Sequence, residues 1–562
     1  MSYLDTPRLH FFGRFQADPS TLNNDPCNYD PATGALAPAW NPDGSHTFRI
    51  LGCTITGLTT AGSPSAVIDP LFGAALQSVD KPFAAKLVDL DTEQQMVSMI
   101  FGMRLQAGGD SSGSFTGVFQ PVCFNDIFFR VVGGQPDSVF SAHYQSILTD
   151  VKWSKPERSP FLKALRKASP NRLSINFVVD GFDDSALLPG GAPNPDFTFG
   201  RVAGTIGPAF DQEPPNFVVG RLLRPTTPGA GPSATPQFNY GWAVVDAKRN
   251  RVIFDLGNSL ATSSVGGPPP DMGTLTAVVV ASGAPIATLG KIDYSEAAYQ
   301  SSAYIQEFPA SADVIGQIQG GSQLALLQTV PGNPASVVLQ ENETCAYVNA
   351  TPYVFRMNPG DTAPVQVMAV QNGAPVANQA IALGANNAMI AGQVATNCPD
   401  GNLSVGVPAS ALTYPPSVTT GNDGKAAFTL TASDPGNPRS YLNGQLYGVG
   451  FSAPNLDSNP NPYWFLSVNV YSSATVPDAP TWFQDVLPIL KPYARLYPFM
   501  DRIIQLDDYD AVKTAMKPIA SVLALPLESP NHMPVTRDMS ADQRNTILKW
   551  IANGAPQGTP PQ

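Results

Sequence analysis

Short stretches in which apolar and polar residues alternate dominate the N-terminal part of the chain. The run 3–15 places Arg8, His10 and Arg14 between bulky apolar residues, a pattern that predicts a strand entering a core. Gly13 within it predicts a bulge or a close backbone approach. Further strands are predicted at 46–55, 86–90, 115–119, 126–132, 174–179, 217–223, 242–245, 251–256 and 275–280. Gly, Pro and Asp at their borders indicate a large β-barrel or β-sandwich region over residues 1–330.

Two helices are predicted within this β-rich region. The segment 159–168 starts with Ser159 and Pro160, and it places Phe161, Leu162 and Leu165 on one face. The segment 142–151 carries apolar residues at a similar spacing and is also predicted as a helix. Both would pack against the predicted sheets.

The pattern changes after residue 330, and residues 336–471 predict a second β unit. Residues 365–370 alternate as a strand, and Asn372-Gly373 supplies a tight turn. Asp423-Gly424 repeats this arrangement before a strand at 425–430. The pattern N-G-x-P-V followed by D-G-K-A is similar to bacterial Ig-like β-sandwiches, most of which act as spacers or binding platforms.

A proline-bearing linker at 472–480 leads to a region with helical periodicity, so 481–562 is predicted as a small all-α domain. Its helices are expected at 482–493, 508–516 and 540–553. The last has Ser540 as N-cap, Gln543 at the capping-box position and Gly554 as its stop.

Length and composition are consistent with several domains. A chain of 562 residues is too long to fold around one hydrophobic core. The net charge of −12 argues against nucleic acid as a partner, because phosphate binding depends on clustered Lys and Arg. The sequence contains no run of about twenty apolar residues, so no membrane span is predicted. No targeting segment is recognised, so a cytoplasmic location is predicted.

Cysteine and histidine usage restricts the metal chemistry. The five cysteines lie far apart, which excludes the spacings of zinc fingers, iron–sulfur sites and thioredoxin-like motifs. Free buried thiols are predicted, and Cys345 with Cys398 is the one pair considered as a disulfide. With four histidines, a His-rich metal centre is not expected.

Several short motifs admit a functional and a structural interpretation. Asp89 and Asp91 could form a paired-carboxylate metal site, but a strand-end turn is favoured. Residues 180–184 cluster carboxylates around a glycine without the closing Glu of a calcium loop, so calcium remains an alternative. Residues 204–208 lack the lysine of a phosphate loop, so a turn is predicted.

A set of short motifs matches one known family at Leu4, Asp5, Pro7–Phe11, Gly13, Thr21, Asn23, Asn24, 204–208, 220–222 and 255–258. Through these residues the chain resembles the chromopyrrolate synthase and iminophenylpyruvate dimer synthase family, whose members couple two tryptophan-derived imines. The resemblance covers roughly the first 470 residues and implies a β-rich body that handles aromatic imines or keto acids. In that family a ferritin-like helical domain follows the β-rich portion, and none is recognised here.

The C-terminal domain resembles a c-type cytochrome in three segments: 482–490, Met533-Pro534 and 540–556. Such a domain carries C-x-x-C-H after its first helix, whereas here that place reads Tyr493-Ala494-Arg495-Leu496-Tyr497. Covalent haem is therefore excluded, and a haem-free domain used for packing or docking is predicted. His532 beside Met533 keeps non-covalent haem or copper open as an alternative.

Two functions follow as hypotheses. The first is an accessory or scaffold subunit of an oxidative pathway on aromatic imines or keto acids, acting with a separate ferritin-like or oxidase protein and without a cofactor of its own. The alternative is an enzyme that itself couples such imines oxidatively in bacterial secondary metabolism. Arg8, His10 and Arg14 are the predicted substrate-binding residues, because arginine pairs with carboxylates. His10 by itself could also be a haem ligand or a general base, but a hydrogen-bonded residue that lines a groove is favoured.

Overall fold

A computed structural model describes residues 2–19, 29–30, 35–36, 41, 44–60, 63–64, 69–81, 83–91, 97–133, 140–154, 157–227, 233–388, 405–439, 443–457 and 461–560. Over these residues the protein is mainly β, with helices concentrated at its C-terminal end, as the sequence predicts. No helix within these ranges is both long enough and apolar enough to cross a bilayer.

The first unit is an antiparallel barrel. Its elements are β1 Arg8–Asp18, β2 Tyr29–Asp30, β3 Ala35–Leu36, β4 Thr47–Thr60, β5 Ser63–Pro64, β6 Ala75–Ser78, β7 Ala85–Val88, β8 Met99–Phe101, β9 Arg104–Gly109, β10 Gly113–Phe119, β11 Asp126–Phe129, β12 Phe140–Trp153, α1 Pro160–Ala168, β13 Leu173–Asp180 and β14 Phe199–Pro208. Among the described strands the order around the barrel is β1, β14, β13, β12, β10, β9, β6 and β4, and β4 pairs with β1 to close it.

Aromatic side chains fill the barrel interior, as expected for a ring of this size. Phe11, Phe15 and Phe177 are buried together in its core. Glycine permits the close approach of neighbouring strands: a Cβ on Gly13 would lie 2.5 Å from the Cα of Cys53. The register of β1 against β4 shifts between Phe12 and Arg14, which confirms the bulge predicted at Gly13.

One of the two helices predicted in this region is confirmed and the other is wrong. Helix α1 begins after Ser159, whose side chain accepts a hydrogen bond from the Leu162 amide. Residues 142–151 instead form the middle of β12, which pairs with β13 on one side and with β10 and β11 on the other. Two flanking strands satisfy its backbone, and that pairing outweighs the helical spacing of its apolar residues.

The second unit is a sheet of short strands beside the barrel. It contains β15 Arg221–Pro225, β16 Gly241–Asp246, β17 Arg251–Asp255, β18 Thr274–Ala281, β19 Ala284–Lys291, α2 Glu296–Ser302, β20 Ile305–Pro309, α3 Ala312–Gln319, β21 Gln323–Thr329 and β22 Ser336–Gln340. The described strands are ordered β19, β18, β21, β22, β15, β16, β17 and β20. Strand β22 lies beyond residue 330, yet it pairs with β21 and β15 of this sheet.

The third unit is the predicted Ig-like β-sandwich. Its strands are β23 Ala346–Thr351, β24 Val354–Met357, β25 Thr362–Gln371, β26 Ala374–Pro375, β27 Ala380–Ala385, β28 Leu412–Thr413, β29 Ser417–Thr419, β30 Lys425–Ala432, β31 Gln445–Ser452 and β32 Leu466–Val470. Asn372 and Gly373 both have positive φ, as a tight hairpin turn requires. A Cβ on Gly424 would lie 2.5 Å from Pro375, so the two turns predicted from sequence pack against each other.

The C-terminal unit is helical. A π-helical turn at Trp482–Val486 leads into α4 Leu487–Leu496, followed by α5 Tyr509–Thr514, α6 Met516–Leu523 and α7 Ala541–Ala552. The predicted capping box of Ser540 and Gln543 is present, and Gly554 adopts φ +80° after the last helix. Trp482 and Trp550 are buried side by side, with ring centroids 5.7 Å apart.

Candidate ligand-binding sites

A cleft of about 610 Å³ lies between the barrel and the second sheet. We call it the arginine cleft. Arg8 and His10 enter it from β1, and Arg251 and Glu307 enter it from β17 and β20. Its remaining wall is Thr56, Gly57, Leu58, Thr59, Phe72, Ser301, Ser302, Ile305 and Pro309.

The arginine cleft carries one more positive than negative charge. Arg8 and Arg251 both form ion pairs with Glu307, one on each carboxylate oxygen. Burial opposes the ionisation of Glu307, but the charges of Arg8 and Arg251 outweigh it and lower its pKa. One carboxylate thus neutralises one of two guanidinium groups. The arrangement leaves a positive charge available for an anionic ligand.

The structure brings two of the three predicted substrate-binding residues together. His10 is buried, its Nδ1 lies 2.8 Å from the Oγ1 of Thr205, and burial together with the charge of Arg8 lowers its pKa to about 3. His10 is therefore neutral at physiological pH and lines the cleft as a hydrogen-bonded ring. Arg14 lies outside this cleft, where it pairs with Asp196 at 2.6 Å and stacks over Phe199.

A second candidate site is a small polar chamber where the barrel, the second sheet and the sandwich meet. Its volume of about 20 Å³ is sufficient for one water molecule. Asp126 lies at its centre and accepts hydrogen bonds from the side chains of Asn239, Asn258 and Asn461. Burial raises the pKa of Asp126 to about 7, although these amide donors favour its ionised form.

The chamber also contains a second carboxylate and a histidine. Asp255 accepts hydrogen bonds from the Tyr3 hydroxyl at 2.6 Å and from Asn176 at 3.1 Å. Burial lowers the pKa of His143, so its ring is neutral. A carboxyl group with a pKa near neutrality can transfer protons, which makes Asp126 a candidate general acid or base.

The other acidic motifs serve structural roles. Asp91 forms a two-point ion pair with Arg439 of the sandwich, with N–O distances of 3.1 and 2.8 Å. Asp89 accepts a hydrogen bond from Ser98 instead of facing a shared ligand. Asp180 forms ion pairs with Arg130 and Arg201 through its two carboxylate oxygens. It is therefore not available as a ligand of the calcium site considered at 180–184. Within the described residues, no group of three or more His, Cys, Asp or Glu side chains could hold a metal ion.

Residues 204–208, considered above as a phosphate loop, end the barrel strand β14 and pair with β1 and β13. Thr205 bonds His10, and a Cβ on Gly204 would lie 2.4 Å from the Phe11 ring. The segment is therefore strand rather than the predicted turn.

Replacing Asp89 with asparagine is expected to stabilise the protein at pH 8 more than at pH 5. Burial raises the pKa of Asp89 to about 7. Between about pH 4 and pH 7 the unfolded carboxyl loses its proton while the folded one keeps it, so the contribution of Asp89 to stability falls as pH rises. Asparagine removes this loss and can still accept the hydrogen bond from Ser98.

Melting temperatures of wild type and Asp89→Asn at the two pH values measure this difference. Asp501→Asn, at an exposed position, is the control and should change the melting temperature equally at both. An Asp89→Asn difference that does not grow between pH 5 and pH 8 would contradict the prediction.

A third candidate site is an apolar cavity of about 250 Å³ in the helical unit. Tyr493 and Tyr497, from the segment that replaces C-x-x-C-H, stack at 6.1 Å and line it together with Met533. His532 does not line this cavity: its Nδ1 contacts the Leu525 carbonyl at 2.8 Å, and burial lowers its pKa to about 4. His532 and Met533 therefore do not share this cavity, and the buried Nε2 of His532 has no hydrogen-bond partner among the described residues. The segment 493–497 offers no thiol for covalent haem.

The described cysteines are buried free thiols: Cys53, Cys123 and Cys345. Burial raises the pKa of Cys345 to about 11, which keeps it protonated. Cys398, its predicted disulfide partner, lies outside the described residues, as do Thr21, Asn23 and Asn24.

Arg251 and Glu307 in the cleft and Asp126 in the chamber are not among the functional residues predicted from the sequence. Arg251 and Glu307 belong to strands that pair with each other, with Ile253 opposite Glu307. Arg251 and Asp126 each begin a mainly apolar strand, which was a signal that could have identified them, whereas Glu307 is the middle residue of β20 and gave no such signal.

Comparisons with known proteins leave the family of this chain unassigned. No family model matches it, and no curated protein matches it. Among solved structures, the D0-D1 domain of Intimin is 11% identical over 40% of this chain and 90% of its own, with a TM-score of 0.16. The S-layer protein rSbsC is 8% identical over 77% of this chain and 54% of its own, with a TM-score of 0.15. At these scores the likeness carries no functional argument.

Proposed function

We propose that the protein is an accessory subunit that binds an aromatic 2-oxo or 2-imino acid in the arginine cleft and acts with a separate ferritin-like or oxidase protein. The observation that carries this proposal is the charge balance of the cleft, in which Arg8 and Arg251 share the single carboxylate of Glu307. A carboxylate ligand would complete the pairing of Arg251, whose side chain is 29% exposed.

The shape of the cleft supports an aromatic body for the ligand. Phe72 is 41% exposed and lines the cleft with Leu58, Ile305 and Pro309, so an aromatic ring has apolar surface to cover. The volume of about 610 Å³ exceeds the needs of a small anion. We also propose that the protein is cytoplasmic and that it acts in bacterial secondary metabolism.

Replacing Arg251 with glutamine is expected to weaken phenylpyruvate binding at least tenfold. A hydrogen bond to a charged group is worth about 1.5–3 kcal/mol, and about 1.4 kcal/mol corresponds to a tenfold change. Isothermal titration calorimetry measures the affinity for phenylpyruvate and for benzyl methyl ketone, which lacks the carboxylate.

Arg14→Gln is the matched control, because this arginine lies on the same strand as Arg8 but outside the cleft. It should leave the affinity unchanged. Equal binding of the ketone and the acid, or an equal effect of both substitutions, would refute the proposed site. Recovery of a ferritin-like or oxidase protein with the full chain from its native cell tests the accessory role.

A further inference from the structure

The apolar cavity of the helical unit is larger than packing of that unit requires. Its walls come from α4, α6 and the segments on either side of them, and its volume is about 250 Å³. An apolar cavity of about 150 Å³ in another protein stays dry and binds benzene. The lining contributed by this unit is aliphatic, aromatic and thioether, and it includes Leu490, Tyr493, Tyr497, Ile519, Val522 and Met533.

One side of the cavity belongs to the barrel unit rather than to the helices. Gly44, Ser45, His46 and Lys86 complete its lining. The ring of His46 lies 5.8 Å from the ring of Tyr497, and burial lowers the pKa of His46 to about 4. His46 is therefore a neutral ring, and Lys86 is the charged side chain of this lining.

Lys86 has no ion-pair partner among the described residues. Its Nζ donates a hydrogen bond to the Ser45 carbonyl at 2.7 Å, and burial lowers its pKa to about 8, which leaves it protonated at neutral pH. The charge of the nearby Asp18 acts on Lys86 without a direct ion pair, and the oxygens of Asp18 accept hydrogen bonds from Ser45 and Asn41. A half-buried ammonium group that no described carboxylate contacts directly, at the edge of an apolar cavity, favours an anionic group in that cavity.

We propose that this cavity binds an amphiphilic carboxylate, with its apolar body between the helices and its carboxylate at Lys86. The aliphatic and thioether side chains of the wall accept an alkyl chain or a two-ring aromatic body, and Lys86 supplies the charge that distinguishes an acid from a neutral molecule. This site is separate from the arginine cleft, with which it shares no lining residue.

Calorimetry on the full chain tests the proposal with four probes: decanoate and its neutral analogue decanol, and 2-naphthylacetate and its neutral analogue 2-ethylnaphthalene. We expect at least one acid to bind about tenfold or more tightly than its neutral analogue. Lys86→Met should remove that preference. Lys491→Met, at an exposed position outside the cavity, should retain it.

Val522→Trp fills the cavity and should abolish binding of every probe while thermal unfolding shows that the chain still folds. Arg251→Gln should leave decanoate binding unchanged, so failure at this site and failure at the arginine cleft are distinguishable. The proposal is overturned if neither acid binds, if Lys86→Met retains the preference for the acid, or if added haem develops a Soret band and displaces the acids.

Discussion

Replacing Asp180 with asparagine is expected to lower the free energy of unfolding by about 3–5 kcal/mol, the range for breaking a buried ion pair by removing one partner. Asp180 is 3% exposed and pairs with both Arg130 and Arg201. Both guanidinium groups lie over the ring of Tyr299, at 4.7 and 4.8 Å from its centroid. Without the carboxylate of Asp180, the ion pair that remains to Arg130 and Arg201 among the described residues is that of Arg201 with Glu296, at 3.0 Å.

Urea unfolding followed by fluorescence measures this loss. Asp196→Asn is the matched control, because Asp196 is 60% exposed and its pair with Arg14 contributes about 0–1 kcal/mol. Losses of similar size in the two variants would show that burial does not govern the strength of the Asp180 pairs.

Replacing Trp482 with alanine is expected to cost the helical unit about 3–5 kcal/mol, because truncating a buried tryptophan removes its apolar contacts and leaves a cavity. Trp482 is 1% exposed and contacts Trp550 and Tyr509, with ring centroids 5.7 and 5.9 Å away. Far-UV circular dichroism during heating should show the helical signal lost at a lower temperature than the β signal.

Trp482→Phe is the companion variant for this prediction. It keeps an aromatic ring in the same place and should lose less stability than the alanine variant. If the alanine variant unfolds in one transition with unchanged temperature, the packing of Trp482 does not hold the helical unit together.

Local chemistry was enough to predict several elements. The hairpin at Asn372-Gly373 was predictable because its backbone needs positive φ at both residues, which these two residue types tolerate. The last helix was predictable because Ser540 and Gln543 satisfy its first amide groups within one turn. Such features depend on neighbours in sequence, so the pattern of residue types is sufficient.

The segment 142–151 shows where local pattern failed. Tyr144 and Leu148 are spaced for one face of a helix, but they also share one side of a strand, and both point into the barrel core. The spacing alone cannot decide between the two. The neighbouring strands β10, β11 and β13 decide it by pairing with the backbone.

In the candidate sites, too, some features follow from the sequence and others only from the tertiary structure. The strand pattern of the sequence determined that Arg8 and His10 lie on one side of β1, and the missing cysteines determined that the C-terminal unit cannot hold covalent haem. Only the tertiary structure decided that Arg251 and Glu307 join Arg8, that a bulge and strand position separate Arg14 from them, and that Lys86 of the barrel faces the helical cavity. These groups come from segments far apart in the chain, and their meeting depends on strand order and on the packing of one unit against another, which residue spacing does not record.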